Sequence, residues 1–278
     1  MDPQERQLKI HYRFSAELKT YLGFGADWRH LGREDRHLRR LLGVTSIHTR
    51  LRSLHVMRVI EALSPFPDSV LELGFGEGHL LLSLAQRHLQ SRFVGWETDA
   101  SRSNAFSALA KARGLTNVAL RHEDFKEVSP KAEFNLIYCV DVLEHVPDDQ
   151  ALLFFLAHSL LPGGKLIIHV PQRRSLQRRF FRRFTRHHEP SHVREEYTFE
   201  QLSAIVTATG LRIVGCTETF GPAGELAFEL NSLGWPHRYA DKMVRAITLP
   251  LVLPLGLIDL NPSKPWGNSL LLTAGKMD

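Results

Sequence analysis

The sequence predicts an α/β fold built on a seven-stranded, mostly parallel sheet with helices on both faces. Three observations carry that prediction. The stretch Val70-Leu71-Glu72-Leu73-Gly74-Phe75-Gly76-Glu77-Gly78-His79-Leu80-Leu81 passes from a short apolar run through three alternate glycines into an amphipathic stretch, the pattern of a strand, a tight turn and a helix N-terminus. From Ser69 onward, short apolar runs alternate with helix-period stretches, which implies parallel strands covered on both sides. The chain has 278 residues, 43% hydrophobic and 23% charged, enough for one large core with additions and too apolar for a disordered chain.

Taken in order, residues 1–68 read as an N-terminal helical cap. Short helices are expected between Asp27 and Leu42, and a longer one from Ser46 to Leu63, with apolar residues at Ile47, Leu51, Leu54, Val59 and Leu63. Pro65 and Pro67 close it. The arginines of this region, among them Arg29, Arg36, Arg50, Arg52 and Arg58, form either a solvated basic face or a lid that meets an anionic surface. Strands are expected at Val70–Leu73, Arg92–Glu97, Val118–Arg121, Phe134–Cys139, Lys165–Val170, Arg212–Glu218 and Ser269–Ala274. The helices between them are expected at Gly78–Leu89, Ser101–Ala112 and Asp148–Leu161, and from a Thr198 N-cap, with Gln201 at the third helical position, to Ala208 before Gly210. A helix over Ala223–Leu233 and an apolar run over Met243–Ile258 interrupt the usual short connection into the last strand. A bilayer-spanning helix takes about 20 apolar residues. The uncharged run Ala246–Ile258 falls short of that and contains Pro250, Pro254 and Gly256, so it reads as a hydrophobic lid or a segment dipping into a bilayer interface.

The formal charge of +5 is mildly basic, and two cysteines, Cys139 and Cys216, are too few for a disulfide framework. A reducing, cytoplasmic location is expected, since the opening Met1-Asp2-Pro3-Gln4-Glu5-Arg6 shows no apolar signal core.

Ligands of such sheets bind beyond the carboxyl ends of the strands, and the candidate polar residues fall there. Glu72 is an acid inside a buried strand, costly unless donors hold it. Gly74, Gly76 and Gly78 have Gly-x-Gly-x-Gly spacing rather than the Gly-x-Gly-x-x-Gly of dinucleotide binders. Glu97 ends the second strand, where a carboxylate can accept two ribose hydroxyls, while Asp99 suits a helix cap. Asp124 and Phe125 follow the third strand; Cys139, Asp141, Glu144 and His145 lie in the run Phe134–Pro147 at the end of the fourth.

Together these stretches resemble the class I S-adenosylmethionine-dependent methyltransferases. The glycine run resembles their motif I, and Cys139-Val140-Asp141-Val142-Leu143-Glu144-His145-Val146-Pro147, followed by the Pro162-Gly163-Gly164 turn, resembles motif IV of the small-molecule subgroup with Glu-His-Val. The resemblance covers about Ser69 to Gly215. It implies a Rossmann-like domain over 69–278 and S-adenosylmethionine as cofactor. Glu72 and the turn from Gly74 through Gly76 to Gly78 would hold the methionyl part, Glu97 the ribose, and Asp124 with Phe125 the adenine; Cys139 and Asp141 are also assigned to cofactor binding. His145 and His192 are the candidate bases by their ordinary pKa, with Glu144 orienting one of them. The resemblance to small-RNA 2′-O-methyltransferases, which bind a divalent ion through Glu-x-x-Glu-His and a later histidine, would instead make Asp141, Glu144, His145 and His192 a metal set; the preferred reading uses no metal.

The acceptor side is expected in segments 171–197 and 222–265. Seven arginines lie between Arg173 and Arg186, interleaved with Leu176, Phe180 and Phe184 at four-residue spacing, a basic amphipathic segment if helical. With the apolar run it favours a small lipidic or amphiphilic acceptor, apolar or anionic, methylated at oxygen and reached from a membrane surface touched through 171–186 and 243–258. Two other readings stay open: an RNA methyltransferase, since clustered arginines also suit nucleic acid, and a non-catalytic cofactor-binding partner protein.

Overall fold

The computed structural model describes residues 22, 24, 43–172, 193, 196–233, 238–261 and 266–277. The short helices expected between Asp27 and Leu42, the arginine-rich segment 173–186 and His192 lie outside the described residues. The first helix, α1 (Ile47–Glu61), starts at the N-cap Ser46, whose hydroxyl accepts the Thr49 amide. The alternation then runs β1 (Ser69–Leu73), α2 (His79–Arg87), β2 (Arg92–Trp96), α3 (Ala100–Ala112), β3 (Val118–Arg121), β4 (Phe134–Val140), α4 (Asp149–Ser159), β5 (Leu160–Pro171), α5 (Phe199–Ala208), β6 (Arg212–Thr219), α6 (Pro222–Asn231), α7 (Arg238–Asp259) and β7 (Ser269–Gly275).

The seven strands form one sheet in the order β3-β2-β1-β4-β5-β7-β6. β7 alone runs antiparallel, to both β5 and β6. Side chains alternate across the sheet. Val70, Phe93, Leu136, Tyr138 and Ile167 face a core shared with α1, α2 and α3. Leu71, Val94, Ile137, Cys139 and Ile168 face a second core that includes residues of α4 and α5. Each strand of the sheet's centre is therefore apolar on both faces, as a doubly covered parallel sheet requires.

The caps follow the sequence. Asp99 accepts the amides of Ser101 and Arg102 at the start of α3, and Thr198 and Gln201 close a reciprocal capping box on α5. The turn expected at Pro162–Gly164 is a bulge inside β5: Phe134 pairs with Leu160, Leu136 with Lys165, and the residues between loop out through Gly163 at φ +70°.

One expectation is corrected. The arginines of α1 do not form a solvated face. Arg50 is fully buried and donates to the Val44 and Leu22 carbonyls, Arg58 donates to the Leu260 carbonyl, and Arg52 pairs with Asp141. The apolar run 243–258, for which no secondary structure was expected, lies within the single helix α7, with Pro250 and Pro254 inside it. Among the described residues no helix is long and apolar enough to cross a membrane.

α6 and α7 pack against α1, with Ala227, Leu249, Val252 and Leu260 joining its core. Polar latches at both ends fix this layer. Asn231 accepts the Ile47 amide and donates to the Arg245 carbonyl and Thr248 hydroxyl. Asp259, buried, bonds His55 Nε2 at 2.9 Å and the Gly221 amide at 2.7 Å. Replacing Asp259 by alanine leaves both partners without their acceptor in a buried place, so Asp259→Ala should lower stability by about 3 kcal/mol, read as a lower urea midpoint. Asp259→Asn, which retains an acceptor for the Gly221 amide, should recover part of the loss.

Candidate active site

The glycine turn between β1 and α2 brings the first carboxylates together. Gly74, Gly76 and Gly78 all have positive φ (67°, 55° and 73°). A Cβ at Gly78 would stand 2.3 Å from the Phe106 ring and one at Gly74 2.6 Å from Val142, whereas one at Gly76 would meet nothing within 4 Å. The turn is thus closed by packing on both sides and open at Gly76. There the Gly76 amide donates to Glu97 Oε2 at 2.9 Å, and the Asp99 amide donates to Glu97 Oε1 at 3.1 Å. Glu97 is nearly buried, with Arg102 3.8 Å away.

Glu72 projects from β1 toward α2 and accepts the Tyr138 hydroxyl at 2.9 Å. Burial pushes its carboxyl up to about 8; Tyr138, the Leu81 amide and Arg52 pull in the other direction without reversing the shift. Glu72 is therefore largely protonated in the free protein at neutral pH, and a cation placed beside it would favour its ionised form. An open glycine turn, a carboxylate held over it and an acid awaiting a cation fit a ligand that carries a ribose and an ammonium group, as the methionyl nucleoside cofactor does.

At the end of β3, Asp124 is exposed and caps a short 3₁₀ turn, Phe125–Glu127, by accepting the Lys126 amide. Phe125 is half-buried and leans on Phe155 of α4, ring centroids 5.8 Å apart. Cys139 packs its side chain in the second core, so only its main chain can serve a ligand. Burial, Glu144, Asp141 and Glu72 together push its thiol well above the ordinary range, which places three carboxylates within electrostatic reach of one buried atom.

Asp141 is the best-connected residue of the site. Its backbone is left-handed, φ +53°. Oδ2 accepts Arg52 from α1 at 2.6 Å, and Oδ1 lies 2.6 Å from His169 Nδ1 in β5. His169 in turn meets the Thr219 hydroxyl at 3.0 Å through Nε2. Burial alone would raise the Asp141 carboxyl, but His169 and Arg52 outweigh it and hold it well below the usual carboxylate range. Next to this chain, His48 sits between Phe220 and Phe228, with centroids at 4.9 and 5.1 Å. Burial and then Arg52 push its pKa down to about 3, so its ring is neutral at physiological pH. Phe220 is also left-handed, φ +55°; it and Asp141 are the two non-glycine residues of positive φ among those described. Each costs about 1–2 kcal/mol. Such strain clusters where a site over-determines its backbone.

Glu144 is buried in the turn after β4, and its carbonyl accepts the Val193 amide at 2.9 Å. His145 beside it is half-buried. The segment after β5 is pinned at both ends: Tyr197 donates its amide to the Pro171 carbonyl and its hydroxyl to Asp149 at 2.8 Å. Among the described residues no group of three His, Cys, Asp or Glu side chains could hold a metal ion.

The structure thus gathers Glu72, Gly76, Glu97 and Asp141 along the carboxyl edge. His48, Arg52, His169, Thr219 and Phe220 are additions that the sequence reading did not single out. One signal for His169 was available: a histidine within Leu166-Ile167-Ile168-His169-Val170 interrupts a strand buried on both faces.

Two outcomes follow for this half of the site. The folded value for Glu72, about 8, lies above its ordinary 4.5, so its contribution to stability is whole below about pH 4.5 and is lost as pH rises through 8. Unfolding free energies should therefore fall with pH in that window by up to about 1.4 kcal/mol per unit relative to Glu72→Gln; parallel curves would contradict the raised value. Gly78→Ala should destabilise the fold strongly through Phe106, while Gly76→Ala should cost about 1–2 kcal/mol of stability for its backbone alone yet abolish S-adenosylmethionine binding by calorimetry.

Known proteins share parts of this sequence and its fold. A family model described as a methyltransferase domain matches residues 47–215. The trans-aconitate 2-methyltransferase of Deinococcus radiodurans is 36% identical over 116 residues, 41% of this chain and 43% of that protein. The ubiquinone biosynthesis O-methyltransferase of Idiomarina loihiensis is 32% identical over 101 residues, 36% of this chain and 41% of that protein. The chain thus spans less than half the length of these curated relatives. Phosphoethanolamine N-methyltransferase 2 of Haemonchus contortus, solved in complex with S-adenosyl-L-methionine, shares the fold at TM-score 0.58 and 16% identity, covering 82% of this chain and 52% of that one. The family model takes in α1, the glycine turn and every carboxylate of the cleft, and on that match the chain belongs to the class I S-adenosylmethionine-dependent methyltransferases.

Proposed function

We propose that this chain transfers the methyl group of S-adenosylmethionine to an oxygen of a small amphiphilic acceptor. The observation that carries the acceptor class is the meeting of two surfaces at the ends of β4, β5 and β6: the charged chain Arg52–Asp141–His169 and the aromatic wall His48, Phe220 and Phe228. One surface suits an anionic or hydroxyl group, the other an apolar body. Curated relatives that act on trans-aconitate and in ubiquinone biosynthesis support a small acceptor.

Bound, the cofactor supplies a methyl made electrophilic by its sulfonium. The chain's own residues supply position and dryness. Glu72 and the Gly74–Gly78 turn hold the methionyl part, Glu97 the ribose hydroxyls, and Asp124 with Phe125 the adenine; Cys139 contributes main chain. Asp141 holds Arg52 at the acceptor end. His48, kept neutral, accepts a hydrogen bond from an acceptor hydroxyl but is too weakly basic to keep its proton. That proton goes to His145, or to His192 on the segment after β5, with Glu144 orienting the turn. An amphiphilic acceptor partitions to a bilayer, so this reading includes delivery from a membrane surface.

The test is incubation with cofactor carrying a labelled methyl and a panel of amphiphilic phenols and carboxylic acids, with parallel polar-lipid and RNA extracts. Label on oxygen of an amphiphile, located by mass spectrometry, is the expected result. Label in RNA, or none with cofactor bound, would overturn it. With an acceptor in hand, Asp141→Asn should lower kcat/KM at least about tenfold, since it weakens the hold on both Arg52 and His169.

A further inference from the structure

α7 has the reverse of an ordinary surface helix. Its inner side carries Leu249 and Val252, nearly or fully buried, and the latches at Thr248 and Asp259. Its outer side presents Met243, Ile247 and Leu251, 65%, 67% and 71% exposed, with Pro250, Pro254 and Ile258 also exposed. Steps of three and four residues place these six on one stripe of the helix. All are apolar, where a helix packed on a soluble core normally shows polar side chains. The adjacent α6 adds Leu226 and Leu230, likewise exposed and four residues apart, and Leu233 is exposed just past its end. Six of the thirteen large exposed hydrophobic residues among those described stand on this helix pair.

The prolines decide what covers the stripe. Lacking N–H groups, Pro250 and Pro254 leave the carbonyls of Ala246 and Pro250 without their helical donors. A dry protein interface or a hydrocarbon core would strand those carbonyls, whereas the headgroup region of a bilayer hydrates them while accepting the neighbouring side chains. Charge along the chain agrees: Arg238, Lys242 and Arg245, against the single Asp241, lead into the apolar run.

We infer that the outer face of α7, from Met243 to Ile258, docks the protein on an anionic bilayer surface, with the helix lying in the plane of the interface. This rests on the amphiphilic-acceptor reading only for its purpose; the surface itself stands on α7. The layer of α1, α6 and α7 is joined to the ends of β4 and β6 through Arg52 and Phe220, so docking would present the acceptor end of the site to the membrane.

The experiment is co-sedimentation of the full chain with vesicles of phosphatidylcholine alone and of phosphatidylcholine mixed with phosphatidylglycerol, for wild type and the double variant Ile247→Glu/Leu251→Glu. Wild type should sediment with the mixed vesicles and less with the neutral ones. The variant should lose at least about tenfold in partition with its urea midpoint and cofactor affinity unchanged, because both side chains face solvent. No wild-type binding to either vesicle, or equal binding by the variant, would overturn the inference. So would a wild-type dimer by light scattering that the variant makes monomeric, which would assign the face to a second copy. The vesicles contain no acceptor, so failure here leaves the methyl-transfer reading standing, and a failed acceptor screen leaves this one standing.

Discussion

The ion pair between Arg52 and Asp141 ties the molecule together. A parallel sheet gathers its strand ends on one edge, and this chain places Glu72, Glu97 and Asp141 along that edge. Crowded acids in partly dry surroundings resist being charged together. The structure resolves this by treating each differently. Glu72 is left to protonate, with Tyr138 as its hydrogen-bond donor. Glu97 takes two backbone amides. Asp141 is kept ionised by Arg52 and His169. Arg52 belongs to α1, so balancing the charge of the sheet edge also brings the helical layer down upon it.

That layer also shapes the proposed acceptor side. α1 carries His48 and Arg52 toward the strand ends and His55 toward Asp259, one turn of the helix after another. α6 begins directly after the left-handed Phe220, and the buried Asp259 at the end of α7 accepts the amide of Gly221. A few buried polar bonds thus hold a helix whose remaining surface is largely apolar. A proline inside a helix costs about 3 kcal/mol or more; α7 bears two on its outer side, where the missing amides do not disturb its packing on α1 and α6.

The sheet was legible because its determinants are local. β1, β2 and β3 fall within a residue of the expected spans, Asp99 and Thr198 cap the helices that they were expected to cap, and Ser46, expected as the first residue of its helix, is its N-cap. The glycine turn and Glu97 meet because twenty-odd residues of βαβ geometry bring successive strand ends together. What escaped depends on distant partners. Arg52 and Asp141 are 89 residues apart, His55 and Asp259 204, His169 and Thr219 50. An arginine that will be buried against such a partner has the same local sequence as one that will face water, which is why α1 read as a basic surface. β5 was expected to start at Lys165, after the turn; its first residues join the strand because Leu160 pairs with Phe134, and no local pattern reports that pairing.

This division between local and distant determinants also divides the proposed site. Its cofactor half is written in one stretch per strand end, each readable alone, and a substitution there acts through one turn or one carboxylate. The proposed acceptor half lies where α1, β4, β5, β6, α6 and α7 converge, and its side chains come from segments with no common motif. Such a junction can change shape by altering α6 and α7 without touching the glycine turn. The same fold can therefore retain its cofactor while its acceptor varies. For this chain the acceptor must be read from its own junction: a neutral histidine between two phenylalanines, beside an arginine held by an ionised aspartate.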